Sequence, residues 1–197
     1  MIPLISLALL TFASPQDGEK VKAVVDKAVT AHGGTDKLLR MFRWKEKYYF
    51  GEGKDGTVRK AELRPPEVWW NGSKDIAAGN ADRTDKTYLV WAWTLAPLLE
   101  KDSKLALLPD LDVDGKPAAG IKLTREGRRE ISLYFDKESG RLARIDWRTY
   151  YVTFENWKEH DGARYPAKAV VRNGKDGSIH LWTEFLELER LKEVPGR

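Results

Sequence analysis

The chain has 197 residues, of which 42% are hydrophobic and 32% are charged, so it can bury one sizeable core and is neither disordered nor fibrous. Its 34 basic and 30 acidic side chains give a formal net charge of +4 and are mixed along the whole sequence, which argues against a nucleic-acid partner. Cysteine is absent, which excludes disulfides, thiolate metal sites, a cysteine nucleophile and a lipid-modified N-terminal cysteine.

The first segment, Met1 to Ala13, is apolar and carries no charged side chain. A run of this length followed by small residues is typical of a signal-peptide core, and it is shorter than the roughly 20 residues that cross a bilayer. No basic residue precedes it, and the alternative is a buried first element of the fold. We predict a signal peptide over residues 1–13, a single domain over residues 14–197, and a periplasmic or secreted protein.

Two helical segments are expected next. Apolar residues recur at helical spacing from Asp17 to His32, which predicts an amphipathic helix, and Gly33 with Gly34 ends it. Asp36 to Met41 is predicted to form a short second helix.

Alternating apolar residues then predict strands over Trp44 to Phe50 and Thr57 to Leu63, joined by a glycine-rich turn. Pro65 and Pro66 interrupt this hairpin because proline cannot donate to a strand ladder. A further short hairpin is predicted around Asn71-Gly72, between Glu67 and Ala78.

Asp85 to Glu100 is apolar nearly all the way round. As a helix it would have no face suited to water, so it must be covered on most sides, and Pro97 would end or kink it. We predict that it is a plug helix lying in the concave face of a curved sheet.

The rest of the chain reads as antiparallel strands. Short strands over Leu105 to Leu108 and Ile121 to Thr124 flank a predicted loop, and a last strand is expected from Ser178 to about Leu188. Between them, alternating apolar residues from Arg129 to Val171 predict a four-stranded meander, with turns at Lys137 to Gly140, near Arg148 and Thr149, and at His160-Asp161-Gly162. The fold class is therefore α+β, a strongly curved antiparallel sheet or half-barrel of about 9–11 strands with an N-terminal helix and an apolar plug helix.

Patterns for catalysis and metal binding are weak. Asp110, Asp112, Asp114 and Gly115 match the opening of a calcium loop, but Ile121 stands where a bidentate glutamate is required, so a turn at Asp114-Gly115 is favoured. The three histidines are not spaced as a zinc site, and no nucleophile motif or phosphate loop is present. We expect no cofactor, no metal and no enzymatic activity, although a carboxylate-based hydrolase could be hidden among the 30 acids.

The aromatic excess remains: eight Trp, seven Tyr and six Phe. These rings could simply fill the core, or some could line a cavity for a hydrophobic ligand between the sheet and the plug helix. The candidate wall residues, chosen because they lie near the plug helix or on the meander, are Trp69, Trp91, Trp93, Tyr134, Trp147 and Phe154.

Three stretches of the sequence also resemble a known family: AHGGTDKLLR after the first helix, LPDLDVDGKPAAGIKL leading into ISLYFDKESGRLARIDW, and VTFENWKEHDGARYPAKAVV. They are similar to periplasmic proteins of the outer-membrane lipoprotein-sorting type, with the LolA and LolB-like fold. The resemblance implies an eleven-stranded half-barrel closed by helices around an apolar cavity that holds acyl chains. Members of this family carry lipoproteins, bind other lipids or sense envelope stress, and this chain lacks the lipid-anchoring cysteine of the lipoprotein-accepting branch.

These observations lead to two hypotheses of different classes. The first is an exported carrier or binding protein that holds an acyl chain or a lipidated protein in the half-barrel, as a monomer with transient membrane or envelope-protein contacts. The second is a protein-interaction or envelope-sensing module with a filled interior, which should expose an apolar patch instead of a cavity.

Overall fold

The computed structural model describes residues 15–64, 67–70, 73–74 and 88–191. The predicted signal peptide therefore lies outside the described residues. The elements are the helix α1 (Pro15–Ala31) and the strands β1 (Phe42–Phe50), β2 (Thr57–Arg64), β3 (Glu67–Trp70), β4 (Ser73–Lys74), β5 (Lys104–Val113), β6 (Lys116–Thr124), β7 (Ile131–Asp136), β8 (Leu142–Trp147), β9 (Tyr150–His160), β10 (Ala163–Asn173) and β11 (Ile179–Arg190). Between β4 and β5, residues 88–92 are helical and Ala96–Leu99 form a 3₁₀ helix.

The described strands form one eleven-stranded antiparallel sheet in the order β4-β3-β2-β1-β11-β10-β9-β8-β7-β6-β5. Every neighbouring pair except β1 and β11 is consecutive in sequence. Pairing of β1 with β11 brings the two ends of the strand series together in the middle of the sheet. The sheet is open and curled, so the predicted α+β half-barrel is confirmed.

The four-stranded meander is confirmed as β7 to β10, including its turns. Arg148 and Thr149 connect β8 to β9, and Asp161 and Gly162 connect β9 to β10 with positive φ angles of 50° and 78°. Asp114-Gly115 likewise makes a two-residue turn between β5 and β6, with φ angles of 53° and 78°, so the favoured turn is confirmed.

Two local predictions are wrong. The predicted loop at residues 109–120 is mostly strand, because β5 runs to Val113 and β6 begins at Lys116. Pro109 is tolerated there because the pairing register shifts between Leu108 and Leu111. Asp36 to Met41 is a series of turns, not a helix.

The buried core divides into two clusters. The first lies under β6 to β9 and includes Ile121, Leu133 and Ile145, together with Val25 and Ala28 of α1. The second lies under β1, β2, β10 and β11. Its buried members are Leu39, Phe42, Trp44, Ala61, Leu63, Ala163, Tyr165, Ala167 and Phe185. A curled sheet with two apolar patches on its inner face needs further apolar groups between them.

The plug segment, residues 88–99, supplies these groups, but it is not one helix. The helical turn at 88–92 is followed by Leu95 with a φ of 63° and then by the 3₁₀ helix that contains Pro97. The Thr94 hydroxyl donates to the Trp91 carbonyl at 2.6 Å and accepts from the Ala96 amide at 3.3 Å, which satisfies backbone groups at the break. Tyr88, Ala92, Leu95 and Leu98 are buried in the first cluster, so the segment is covered as predicted.

One charged pair lies next to the second cluster. The Glu46 side chain is 4% exposed and accepts hydrogen bonds from Trp44 Nε1 at 2.9 Å and from Arg59 Nε at 2.5 Å. Direct pairing of Glu46 with Arg59 and Phe185 places all three on the inner face of the sheet. Two donors for one carboxylate offset the cost of removing it from water.

Gly33 and Gly34 provide a matched test of the contact between α1 and the β9–β10 turn. A Cβ on Gly33, whose φ is 108°, would lie 2.1 Å from the Gly162 carbonyl oxygen, whereas a Cβ on Gly34, whose φ is 89°, would meet nothing within 4 Å. We expect Gly33→Ala to lower the free energy of unfolding by about 2–4 kcal/mol and Gly34→Ala by about 1 kcal/mol. Equal losses in urea denaturation would contradict the contact.

Candidate functional site

Four of the six predicted wall residues lie on the inner side of the sheet. Trp91 and Trp93 of the plug segment pack against both core clusters. Trp93 stacks on Phe154 with ring centroids 6.4 Å apart, and Trp147 is buried in the first cluster. The structure thus brings Trp91, Trp93, Trp147 and Phe154 together around one apolar interior.

Tyr134 is not among them. In β7, Ile131, Leu133 and Phe135 are buried in the first cluster, and Tyr134 lies between them on the opposite face. There its ring lies beside Gly120, where a Cβ would approach it to 2.9 Å. Partial burial raises the pKa of the Tyr134 phenol. Trp69 pairs in register with Glu62, and its side chain lies outside the described part of the chain.

The sheet splits between β8 and β9. Their pairing runs from Trp147↔Tyr150 to Arg144↔Thr153 and then stops, although β9 continues to His160 along β10. At this point Ala143 is skipped in the pairing of β8 with β7, which shifts the register of β8. Leu142 and Ala143 of β8 therefore have no pairing partner in β9, and β9 continues to His160 paired with β10.

A backbone irregularity in β9 decides which side chains line this split. Asn156 has a φ of 55° in the middle of the strand. Regular alternation would place Phe154 and Trp157 on opposite faces, yet both pack against the first core cluster. The left-handed residue between them turns Trp157 towards the interior, and asparagine is among the residues that adopt this conformation most readily.

A groove of about 270 Å³ occupies the split. Its lining residues are Val113, Asp114, Lys116, Ala118, Asp136, Ser139, Arg141, Leu142, Ala143, Thr153, Phe154, Glu155 and Trp157. Asp136 is two residues from Tyr134 in β7, so it lies on the same, outer face. Thr153 is paired with Arg144, and Arg144 is paired with Tyr134, so Thr153 lies on the outer face as well. Leu142, Phe154 and Trp157 belong to the interior. The groove therefore leads from the outer face into the aromatic interior.

Sequence reasoning missed this groove. Trp157, Leu142 and Arg141 were not among the candidate residues, because strand alternation alone does not show where two neighbouring strands separate. One signal was present: Asn156 interrupts an apolar alternation between Phe154 and Trp157, and asparagine is depleted from regular strands.

His32 lies where the end of α1, the β9–β10 hairpin and the plug segment meet. It is 3% exposed, and its ring is edge-on to Trp157 with centroids 5.0 Å apart. Nδ1 is 2.7 Å from the Ala28 carbonyl oxygen, which can only accept, so Nδ1 carries the proton. Nε2 has no hydrogen-bond partner among the described residues, and a void of about 10 Å³ beside the ring has room for one water.

Burial is the largest of the effects that lower the pKa of His32 to about 4. The nearby Arg141 charge also lowers it, and the hydrogen bond to Ala28 partly opposes both effects. The imidazole is therefore neutral in the folded protein at neutral pH. In the unfolded chain its pKa is near 6.5.

Neither a metal site nor a membrane span emerges from the described residues. Within ranges 15–64, 67–70, 73–74 and 88–191, His, Asp and Glu side chains do not gather in groups of three that could hold a metal ion. In the same ranges, every helix is too short or too polar to cross a bilayer.

We expect His32 to make stability depend on pH. Between about pH 6.5 and 4 the unfolded chain binds a proton at His32 that the folded protein does not, so the free energy of unfolding falls as pH falls, by up to about 1.4 kcal/mol per pH unit. His32→Gln, which keeps a donor for Ala28, should flatten this slope relative to wild type, whereas His180→Gln, at an exposed position, should not. Identical slopes for the wild type and His32→Gln in urea titrations would contradict the assignment.

Asn156 can be tested through its backbone angle. Asn156→Gly should change the free energy of unfolding by less than about 1 kcal/mol, because glycine adopts positive φ freely. Asn156→Val should lower it by about 1–3 kcal/mol and increase solvent exposure of Trp157, measured by tryptophan fluorescence quenching, because a β-branched residue resists this conformation. A valine variant as stable as the glycine variant would rule out the irregularity as the cause of the Trp157 orientation.

Comparison with known proteins supports the fold, not a sequence family. No model of a known protein family matches the chain, and no curated protein sequence matches it. Among solved structures, a domain assigned to outer membrane lipoprotein sorting from Vibrio parahaemolyticus is 11% identical, with 90% of this chain and 95% of that one covered and a TM-score of 0.52.

A LolA superfamily protein from Nitrosomonas europaea is also 11% identical, with a TM-score of 0.52 over 89% of this chain and 94% of its own. A DUF1329 family protein from Desulfovibrio piger is 12% identical, with a TM-score of 0.51 over 86% of this chain and 92% of its own. The chain has the LolA-like fold, in a divergent sequence.

Proposed function

We propose that this protein is a non-enzymatic carrier or binding protein that holds an acyl chain, free or attached to a protein, in the apolar interior of its half-barrel. The groove between β8 and β9 carries this proposal, because it joins the outer surface to Phe154 and Trp157 within the interior. Trp91, Trp93 and Trp147 extend the same apolar wall. The likeness to lipoprotein-sorting and LolA superfamily structures supports it as an analogy of fold.

The energetics of such a site favour long chains. Each methylene that leaves water contributes about 0.8 kcal/mol, so a chain of a dozen carbons offsets the cost of ordering it even when it is partly enclosed. Shape and apolar lining are sufficient for this activity, and it needs no catalytic group.

The setting that fits this activity is the periplasm. The apolar segment Met1 to Ala13 supports export, and a carrier of acyl chains must contact a membrane or an envelope protein transiently to load and release them. We propose that it acts there as a monomer.

A second candidate is a protein-interaction or envelope-sensing module with a filled interior. Two observations favour it: the void next to Trp93 measures only about 10 Å³, and Phe50 at the end of β1 is 68% exposed. An exposed aromatic beside Tyr48, whose ring centroid lies 5.6 Å away, could contact a protein partner.

Binding of saturated fatty acids of increasing length to delipidated protein separates the two candidates. For the carrier, the dissociation constant should fall about threefold to fourfold with each methylene between eight and twelve carbons, because each one transfers about 0.8 kcal/mol of apolar surface. Displacement of a fluorescent fatty-acid probe gives this series, and Tyr134→Phe on the outer face should leave it unchanged. No uptake of the probe by folded protein would reject the carrier and leave the interaction module.

A further inference from the structure

The outer end of the β8–β9 groove carries two cations, Arg141 and Lys116, that form no ion pair among the described residues. Arg141 is exposed, and its guanidinium carbon lies 5.6 Å from the centre of the Trp157 ring. Lys116 is exposed at the start of β6. Among the described residues, neither side chain forms an ion pair, although Lys116 is close enough to Asp136 to help lower the pKa of that carboxyl group.

Two of the three acidic side chains that line the groove have partners within the protein. Asp136 accepts hydrogen bonds from the Ser139 amide and hydroxyl, each at 2.6 Å, and these bonds, with a smaller contribution from the nearby Lys116 charge, lower the pKa of its carboxyl group. Glu155 forms an ion pair with Lys168 at 2.8 Å. The third acid, Asp114, lies at the tip of the β5–β6 turn and is exposed.

The inner end of the groove is apolar. Leu142 is fully buried, and Phe154 and Trp157 pack against the first core cluster. Ala143, the residue skipped in the strand pairing, has a small side chain between the two ends. A volume of about 270 Å³ with charge at one end and aromatic rings at the other suits one chain with a polar head, not a bulky lipid.

We propose that the split between β8 and β9 is a lateral entry that seats a single-chain amphiphile with an anionic head. The head lies at Lys116 and Arg141, and the chain passes Ala143 to reach Phe154 and Trp157. This inference rests on the proposed function, because it names the ligand class and the route into the same interior. An anionic head gains charge-assisted hydrogen bonds from the two cations. Of the groove acids, Glu155 is paired with Lys168 and Asp136 accepts from Ser139, which leaves Asp114 at the tip of the β5–β6 turn as the acid that a cationic head would meet.

Head-group choice is tested with four twelve-carbon probes: dodecanoate, dodecyl phosphate, dodecanol and dodecyltrimethylammonium. Dodecanoate and dodecyl phosphate should displace a fluorescent fatty-acid probe at least fivefold more tightly than dodecanol, and dodecyltrimethylammonium should be the weakest. The order of the two anions then distinguishes a carboxylate from a phosphate ligand. Dodecanol or the cationic probe binding as tightly as both anions would overturn the assignment of the head.

The two cations are tested by substitution. Arg141→Gln and Lys116→Gln should each weaken dodecanoate about threefold, and together about tenfold, with dodecanol affected less than twofold. The matched control is Lys137→Gln, which removes an exposed cation that is paired with Asp110 on the neighbouring hairpin and should change neither affinity. Loss of dodecanol and dodecanoate binding in equal measure would show that the cations do not hold the head.

The route is tested by filling the groove. Ala143→Trp should weaken dodecanoate at least tenfold, while Ala106→Trp, at an exposed position on β5, should not. Circular dichroism and thermal unfolding establish that both variants fold. If an Ala143→Trp protein that remains folded binds dodecanoate like wild type, the lateral entry is overturned while the carrier function stands. If the wild-type protein binds none of the four probes, both the lateral entry and the carrier function are rejected.

Discussion

Trp91 and Trp93 lie between the two halves of the core, and the curled sheet depends on this contact. Its inner face presents two separate apolar patches, one under β6 to β9 and one under β1, β2, β10 and β11. A single antiparallel sheet has no second layer to cover such a face, so another element must fill the concavity. The plug segment does so with rings that reach both patches, and α1 covers the outer part of the first.

This way of filling the interior explains why the plug is broken. A straight helix places its side chains all round one axis, whereas the concave space requires large rings pointing towards two patches. Leu95, with a φ of 63°, changes the chain direction, and the Thr94 hydroxyl satisfies the backbone at that point. The conformation costs about 1–2 kcal/mol for a residue with a Cβ, and burial of the Leu95 side chain offsets it.

The split between β8 and β9 has a similar local origin. Ala143 shifts the register of β8 against β7, and Asn156 has a positive φ in β9, while pairing of β8 with β9 ends one residue beyond Ile145 and Val152. The end of this pairing leaves Phe154 and Trp157 accessible from outside. The end of α1 contacts both neighbouring turns, the β7–β8 turn at Gly140 and the β9–β10 turn at Gly162. The backbones are in close contact at both places. A Cβ at Gly140 would clash with the Lys27 backbone, and a Cβ at Gly33 would clash with the Gly162 backbone. The aromatic interior and its opening thus arise from one irregular region of an otherwise regular meander.

Much of the fold could be predicted from local chemistry. Alternation in Ile131 to Phe135 and turn residues such as Asp114-Gly115 and Asp161-Gly162 depend on period-two side-chain geometry and on positive φ, which the sequence by itself determines. The same alternation places the apolar Ile131, Leu133 and Phe135 on the face opposite Tyr134, so the sequence already favoured their face as the inner one and spoke against Tyr134 as a wall residue. Only the tertiary structure brings the plug segment and α1 onto this face to cover it. The tertiary structure also sets the position of the groove and of Arg141 beside Trp157. Both depend on where β8 stops pairing with β9, and that pairing joins residues from different strands.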